Sequence, residues 1–253
     1  MAEMLYGHHA VREALRAGRR QVHEIMVAHG IKMREDVADI LRLAQKKRVG
    51  VRQVEREELA KLGSEARRWG VAARVTDYPY VEWAEIVQAA RASGELPLFL
   101  LLDHVQDPQN LGTLLRTAEA VGVHGVAIPQ RRAAGITPAV SNASAGAVEH
   151  LRVAEITNVA QTIAALKQQG VWIVGLEKSP EAKLYHQVDL NIPLALVVGS
   201  EGKGLSRLVR ERCDLLIALP MRGRIGSLNA SVAGSIALYW VWRQRDTKRG
   251  ILI

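Results

Sequence analysis

Hydrophobic and polar positions alternate in two different rhythms along this chain. In the first stretch the spacing predicts helices over His9–Ala17 and Asp36–Lys47, strands over Val22–Ala28 and Val49–Val54, and a helical turn over Glu57–Leu62. That mixture reads as a small α/β domain over residues 1–75. Residues 76–96 read as a linker. The linker opens on the turn-like Asp77-Tyr78-Pro79-Tyr80, because a residue before proline is driven out of the helical region. It holds one short amphipathic helix, Trp83–Ala92, ended by Ser93-Gly94.

From Pro97 the rhythm changes to unbroken apolar runs between helical segments. Leu98–Leu102, Gly125–Ile128, Leu151–Ile156, Val171–Leu176, Leu194–Val198 and Leu215–Leu219 read as strands. Leu111–Val121, Ala160–Gln169, Leu205–Cys213 and Ala230–Arg245 read as helices. Continuous apolar strands separated by helices predict a parallel sheet covered on both faces, here over residues 97–253.

Composition narrows the class. The 253 residues carry 34 Lys+Arg against 26 Asp+Glu, a net charge of +8. The excess points to a polyanionic partner, with an ordinary basic protein as the plainer alternative. Aromatic residues make only 4% of the chain, so no platform for stacking unpaired bases stands out. A single cysteine, Cys213, excludes an internal disulfide and fits a reducing, cytoplasmic setting. The charged start has no signal-peptide core, and no apolar run approaches the roughly 20 residues of a membrane helix, so no membrane is expected.

Three segments at strand ends are candidates for chemistry, because ligands of open α/β sheets bind beyond the carboxyl ends of strands. The first, 103–112, leads into the helix expected from Leu111, with Asn110 as its N-cap. On that helix Leu111, Leu114, Leu115 and Ala118 form the apolar stripe and Arg116 lies off it. By itself Arg116 reads as a solvated surface residue. The second, Gly199-Ser200-Glu201-Gly202-Lys203-Gly204, matches neither a Walker loop nor a dinucleotide fingerprint. It is either a plain turn or a place where backbone meets a ligand, with Glu201 to orient a polar group. The third, 220–231, gathers Ser227, Asn229 and Ser231 at one helix start, beyond what capping needs, with Arg222 and Arg224 as long-reach phosphate donors.

Other chemistries fit poorly. The eight histidines show no metal-ligand spacing, and His8-His9 reads as a surface pair. No nucleophile elbow is present, and Cys213 reads as a small buried residue.

In order, Asp107-Pro-Gln-Asn-Leu-Gly-Thr-Leu-Leu-Arg116, Val198-Gly-Ser-Glu-Gly-Lys-Gly204, and Leu219-Pro-Met through Ser227-Leu-Asn-Ala-Ser231 resemble the three signature motifs of the SpoU (TrmH) family of RNA ribose 2′-O-methyltransferases. Leu5-Tyr-Gly-His-His-Ala-Val-Arg-Glu-Ala-Leu15 and Tyr78-Pro-Tyr-Val-Glu-Trp83 are similar to its bacterial 23S rRNA guanosine 2′-O-methyltransferase subgroup. That subgroup usually carries His-Gln-Gly where this chain has Arg68-Trp69-Gly70.

The resemblance implies a knotted, SPOUT-type parallel-sheet methyltransferase domain preceded by a small RNA-binding domain like ribosomal protein L30e. It implies S-adenosylmethionine as cofactor, no metal, 23S rRNA as substrate and a homodimer. By motif position it assigns Gly199, Leu219 and Leu228 to the cofactor, with Leu176, Met221 and Ser227 beside them. It assigns Arg116 an activating role, as base or as stabiliser, and makes Asn110, Glu201 and Asn229 its positioning partners. Three rival readings are a tRNA 2′-O-methyltransferase of the same family, a non-catalytic RNA-binding assembly factor and a nicotinamide-dependent oxidoreductase. Intact Asn110, Arg116, Glu201 and Asn229 argue against the second, and the missing dinucleotide fingerprint against the third.

Overall fold

The computed structural model describes residues 2–249 and divides into two compact units. One gathers the chain up to Pro79 together with Ile136–His150; the other holds Tyr80–Gly135 and the chain from Leu151 onward.

In the first unit the elements run β1 (Ala2–Tyr6), α1 (His8–Ala17), β2 (Val22–Ala28), α2 (Glu35–Lys47), β3 (Gly50–Val54), α3 (Arg56–Ala60), α4 (Ser64–Trp69) and β4 (Val71–Thr76). The sheet order is β1-β4-β2-β3, with only the β2–β3 pair parallel. Strand periodicity sorts its side chains onto two faces. Ile25, Val27, Val71, Ala73 and Val75 join Leu5 and the helix residues Val11, Leu15 and Ile40 in one core. Met26, Ala28 and Ala72 join Val54, Leu59 and Ala66 in the other. The expected helices and strands of this stretch are present within a few residues. The edge strand β1, helix α4 and strand β4 are not marked by the hydrophobic spacing. β1 and β4 carry charged or small residues among their apolar ones, which weakens the alternation.

His8 is not the surface residue expected of a histidine pair. Its Nδ1 lies 2.9 Å from Asp36, its Nε2 lies 3.0 Å from the carbonyl of Trp69, and the ring meets Trp69 edge-on. The tethers hold α1, α2 and α4 together.

A buried charge cluster fixes the later segment of this unit. Arg20 is 3% exposed, and its guanidinium donates to Glu149 (2.9 Å) and Glu3 (2.5 Å) while stacking on Tyr78. The Ser141 hydroxyl donates to the other Glu149 oxygen at 3.1 Å. Burial pushes the Glu149 carboxyl above its ordinary range, against the pull of Arg20. Ser141 lies in the short helix Pro138–Ala143, capped by the Thr137 hydroxyl.

The second unit begins with the helix Trp83–Ala92, then the strands Leu98–Asp103, Gly125–Pro129, Val153–Ile156, Trp172–Leu176, Lys183–Leu184, Leu194–Gly199 and Leu215–Ala218. In chain order these strands are β5 to β11. The sheet order is β7-β6-β5-β10-β8-β11-β9, and every neighbouring pair is parallel. This is the architecture expected from the unbroken apolar runs. On one face Phe99, Leu101, Ile173, Ala195 and Val197 pack with Ile86, Ile163, Leu166 and Val209 of the covering helices. On the other, the helices Pro108–Ala120 and Ala230–Arg249 lie against each other and the latter against β10. The chain therefore leaves β11, beyond β8, and returns past β8 and β10 to place its last helix beside the helix that follows β5.

An Arg20→Met protein should lose roughly 3–5 kcal/mol, because it strands the buried Glu149 charge. Glu149→Gln should cost less, since Ser141 and Glu3 keep their own partners. Urea unfolding of both proteins checks the order; equal small losses would show that the cluster is not a keystone.

Candidate functional site

The three candidate segments meet at the carboxyl edge of the large sheet. The helix after β5 starts earlier than expected, at Pro108, and its cap is Asp107, whose carboxylate accepts the Gln109 N–H at 3.0 Å. Proline at the first helical position fits this start. Asn110, expected as the cap, instead sits inside the first turn and is 6% exposed. Its side chain is thereby free to reach across the edge.

The second segment is a tight loop between β10 and the short helix Arg207–Arg212. Ser200 and Gly204 exchange two backbone hydrogen bonds, at 3.1 and 3.0 Å, and set Glu201-Gly202-Lys203 at the tip. Gly199 is required where it stands. A Cβ there would lie 2.2 Å from the Gly204 carbonyl carbon and 2.5 Å from the Leu205 nitrogen.

The third segment follows β11 and ends in Asn229, whose Oδ1 accepts the N–H groups of Ser231 (2.9 Å) and Val232 (3.3 Å). Asn229 is thus the cap of the last helix, as its place in the sequence suggested.

Three side chains from these three segments close a triangle. Asn110 Nδ2 donates to Glu201 Oε2 at 2.9 Å. Asn229 Nδ2 donates to Asn110 Oδ1 at 2.9 Å and faces Glu201 Oε1 at 3.3 Å. The Ser231 hydroxyl, 4% exposed, lies within hydrogen-bond reach of both asparagine oxygens. Ser231 stood in the third motif but drew no separate role from the sequence.

Beside the triangle is a cavity of about 560 Å³. Gly199, Leu219, Leu228, Leu176, Met221 and Ser227 all line it, as do Glu201 and Asn229. Two further lining residues, Glu177 and Lys178, were not anticipated. They follow β8, and the strand-end rule that selected the other three segments applies to them as well.

Arg116 is placed differently. It is exposed, does not line the cavity and makes no hydrogen bond or ion pair among the described residues. It stands six residues beyond Asn110, about 9 Å along the helix. Next to it, the Thr117 hydroxyl meets Ser235 of the last helix at 2.8 Å. Arg222 and Arg224 are exposed in the third segment. Cys213 is outside the site, and burial pushes its thiol up to about 12, which leaves no thiolate for chemistry near neutral pH.

The SpoU rRNA Methylase family profile matches residues 97–239, more than half of the chain. The chain belongs to the SpoU family. A second profile, for RNA 2′-O ribose methyltransferase substrate binding, matches residues 4–81. The TrmH family protein YacO of Bacillus subtilis (strain 168) is 43% identical over 244 residues, covering 96% of each chain. The structure of the SpoU methyltransferase AviRb from Streptomyces viridochromogenes superposes with a TM-score of 0.79 at 23% identity, over 97% of this chain and 91% of that one. That likeness shows the fold. The A. aeolicus TrmH/SpoU tRNA modifying enzyme matches at 30% identity and a TM-score of 0.56, over 66% of this chain and 85% of its own. As a SpoU-family protein, this chain is an RNA methyltransferase.

Gly199→Ala should cost at least about 2–3 kcal/mol, since the added methyl meets backbone and not a movable side chain. Gly223→Ala, where a Cβ meets nothing within 4 Å, is the matched control and should be near neutral. Thermal melting of the two proteins decides; equal melting temperatures would mean the loop opens at no cost.

Proposed function

We propose that the protein transfers a methyl group from S-adenosylmethionine to the 2′-hydroxyl of a guanosine in 23S rRNA. The observation that carries this reading is the triangle of Asn110, Glu201 and Asn229 at the rim of a glycine-cradled cavity.

The cavity suits a nucleoside joined to an amino acid. Leu176, Val198, Leu219, Met221 and Leu228 offer apolar walls, while Ser227, Asn229 and Glu201 offer polar contacts at one side. The space that a Cβ of residue 199 would need is taken by the Gly204 backbone, so the loop folds tightly and its tip stays at the rim. When bound, S-adenosylmethionine supplies a methyl group already activated by the sulfonium, so the protein's task is alignment and proton handling.

The chain's own residues divide that task. Asn110 and Asn229 fix the Glu201 carboxylate, which in turn is placed to accept a hydrogen bond from a ribose hydroxyl. Arg116 stands outside the triangle, its guanidinium exposed and without a hydrogen bond or ion pair among the described residues. It approaches the reacting oxygen only when RNA and a second protein copy complete the site, and stabilises the developing negative charge there. A homodimer supplies that second copy. Val232, Ile236 and Tyr239 form an exposed apolar stripe at helical spacing on the last helix, with Leu228 in the loop just ahead of it, all 38–49% exposed and beside the helix that carries Arg116. The unit matched by the substrate-binding profile would then hold the RNA, with its basic side chains on phosphate and an affinity that falls with salt.

The 23S target rests on the subgroup-like Leu5–Leu15 and Tyr78–Trp83 stretches. A tRNA target is the second reading, favoured by the partial match to a tRNA modifying enzyme.

The deciding experiment maps 2′-O-methyl groups in total RNA from cells lacking the gene and cells complemented with wild-type or Arg116→Ala protein. The wild-type chain should restore a mark on a 23S guanosine. Arg116→Ala should fail, with transfer in vitro lowered by roughly two to three powers of ten while calorimetric cofactor binding persists. Arg116→Lys should fail too, because a point ammonium does not copy the planar fork. A restored mark in tRNA, or restoration by Arg116→Ala, would overturn the assignment.

A further inference from the structure

Two consecutive residues at the end of β8 each hold one of the two loops that enclose the cavity. The Glu177 carboxylate accepts the Leu205 N–H at 2.8 Å, at the far end of the glycine loop. Its oxygens also fill the space beside Gly204, where a Cβ would lie 2.6 Å from Oε2 and where φ is +67°. The Lys178 ammonium donates to the Gly226 carbonyl at 2.8 Å, in the loop after β11. Both residues line the cavity. The Glu177 backbone is itself anchored, since its N–H donates to the Ile217 carbonyl of β11.

We propose that Glu177 and Lys178 act as a clasp that preorganises the cofactor cavity before any ligand arrives. The inference rests on the S-adenosylmethionine reading for the identity of the ligand, but the clasp itself is a property of the free protein. The loop 220–229 is exposed along most of its length; its end is tied to Asn110 and Glu201 through Asn229, and Lys178 tethers it further back, at Gly226. Without it the loop samples open states, and binding has to order it. The glycine loop closes on itself through Ser200 and Gly204, but its exit at Leu205 is held to β8 by Glu177. Both contacts act on the cavity walls and not on the Asn110–Glu201–Asn229 triangle. They are positioning residues, and their signature is cofactor affinity more than the rate of the chemical step.

The two contacts make different demands on a substitute. Gly226 needs a donor, so Lys178→Arg should keep the clasp and Lys178→Met should release it. Leu205 needs an acceptor, so Glu177→Gln should keep it through the amide oxygen and Glu177→Ala should release it.

The test uses the full chain without ligand first. Tryptic cleavage of the free protein at Arg222 and Arg224 should speed up for Lys178→Met, and hydrogen exchange should speed up near 204–206 for Glu177→Ala, with exchange of β5 and β10 unchanged. Calorimetry with S-adenosylmethionine should then show binding weakened about tenfold for either releasing variant, the size expected for losing one hydrogen bond to a charged group. Lys178→Arg and Glu177→Gln should bind within about threefold of wild type, and KM for the cofactor should move more than kcat in the releasing pair. Wild-type cleavage and affinity in Lys178→Met, together with wild-type exchange and affinity in Glu177→Ala, would overturn the clasp. Equal weakening by Glu177→Gln and Glu177→Ala would also overturn it, because the charge and not the acceptor would then matter. If the wild-type protein itself bound no S-adenosylmethionine, the cofactor reading would fall while the exchange result still judged the clasp.

Discussion

The large unit depends on one buried amide. Asn110 reaches both Glu201 and Asn229, and so ties the start of one helix to the tip of a glycine loop 91 residues later and to the cap of a helix 119 residues later. A buried amide must find partners for its donor and acceptor, and here three separate segments converge to supply them. The last helix can occupy its place beside the helix carrying Asn110 only if the chain returns from β11 past β8 and β10. Polar satisfaction at the rim and the path of the chain are therefore one constraint. The cavity is its by-product, enclosed by the same loops that the triangle brings together.

The small unit meets its own constraint by charge. Arg20 is buried between Glu149 and Glu3, and Tyr78 covers its face. Such a cluster adds little net stability compared with apolar packing, yet losing Arg20 leaves the buried Glu149 carboxylate unpaired. It pins Ile136–His150 to residues more than a hundred positions earlier. The substitution of Arg68-Trp69-Gly70 for a His-Gln-Gly pattern has a local physical counterpart. Arg68 lies over the Trp69 ring, Trp69 Nε1 donates to Glu65, and the Trp69 carbonyl meets His8.

Much of this is legible in the sequence alone. The parallel sheet follows from apolar runs such as Leu98–Leu102 and Leu194–Val198, which no half-exposed strand would carry. The lining residues were legible because a motif stores local spacing, and Gly199, Leu219, Met221, Ser227 and Leu228 lie in two short loops. What the chain hid was long-range. Asn110 looked like a cap, since an asparagine before an apolar helix satisfies that rule, but Asp107-Pro108 satisfies it earlier and frees Asn110 for the triangle. The membership of Ile136–His150 in the small unit depends on the buried Arg20 pairing, which no periodicity reports. Glu177 and Lys178 stood at a strand end with no glycine or motif to mark them. The position of Arg116 off the apolar stripe was correct, but its separation from the cavity needed the structure.

Asn229→Asp tests the central claim most directly. The substituted carboxylate still accepts the Ser231 and Val232 N–H groups, so the helix keeps its cap. It loses the donor to Asn110 and sets a second negative charge against Glu201, which faces Asn229 at 3.3 Å. The measurement is S-adenosylmethionine-dependent methyl incorporation into rRNA, with a melting curve on the same sample. If convergence of the three segments makes the site, incorporation should fall by about a hundredfold or more while the melting temperature moves by only a few degrees. Near-wild-type incorporation by a well-folded Asn229→Asp protein would contradict the account.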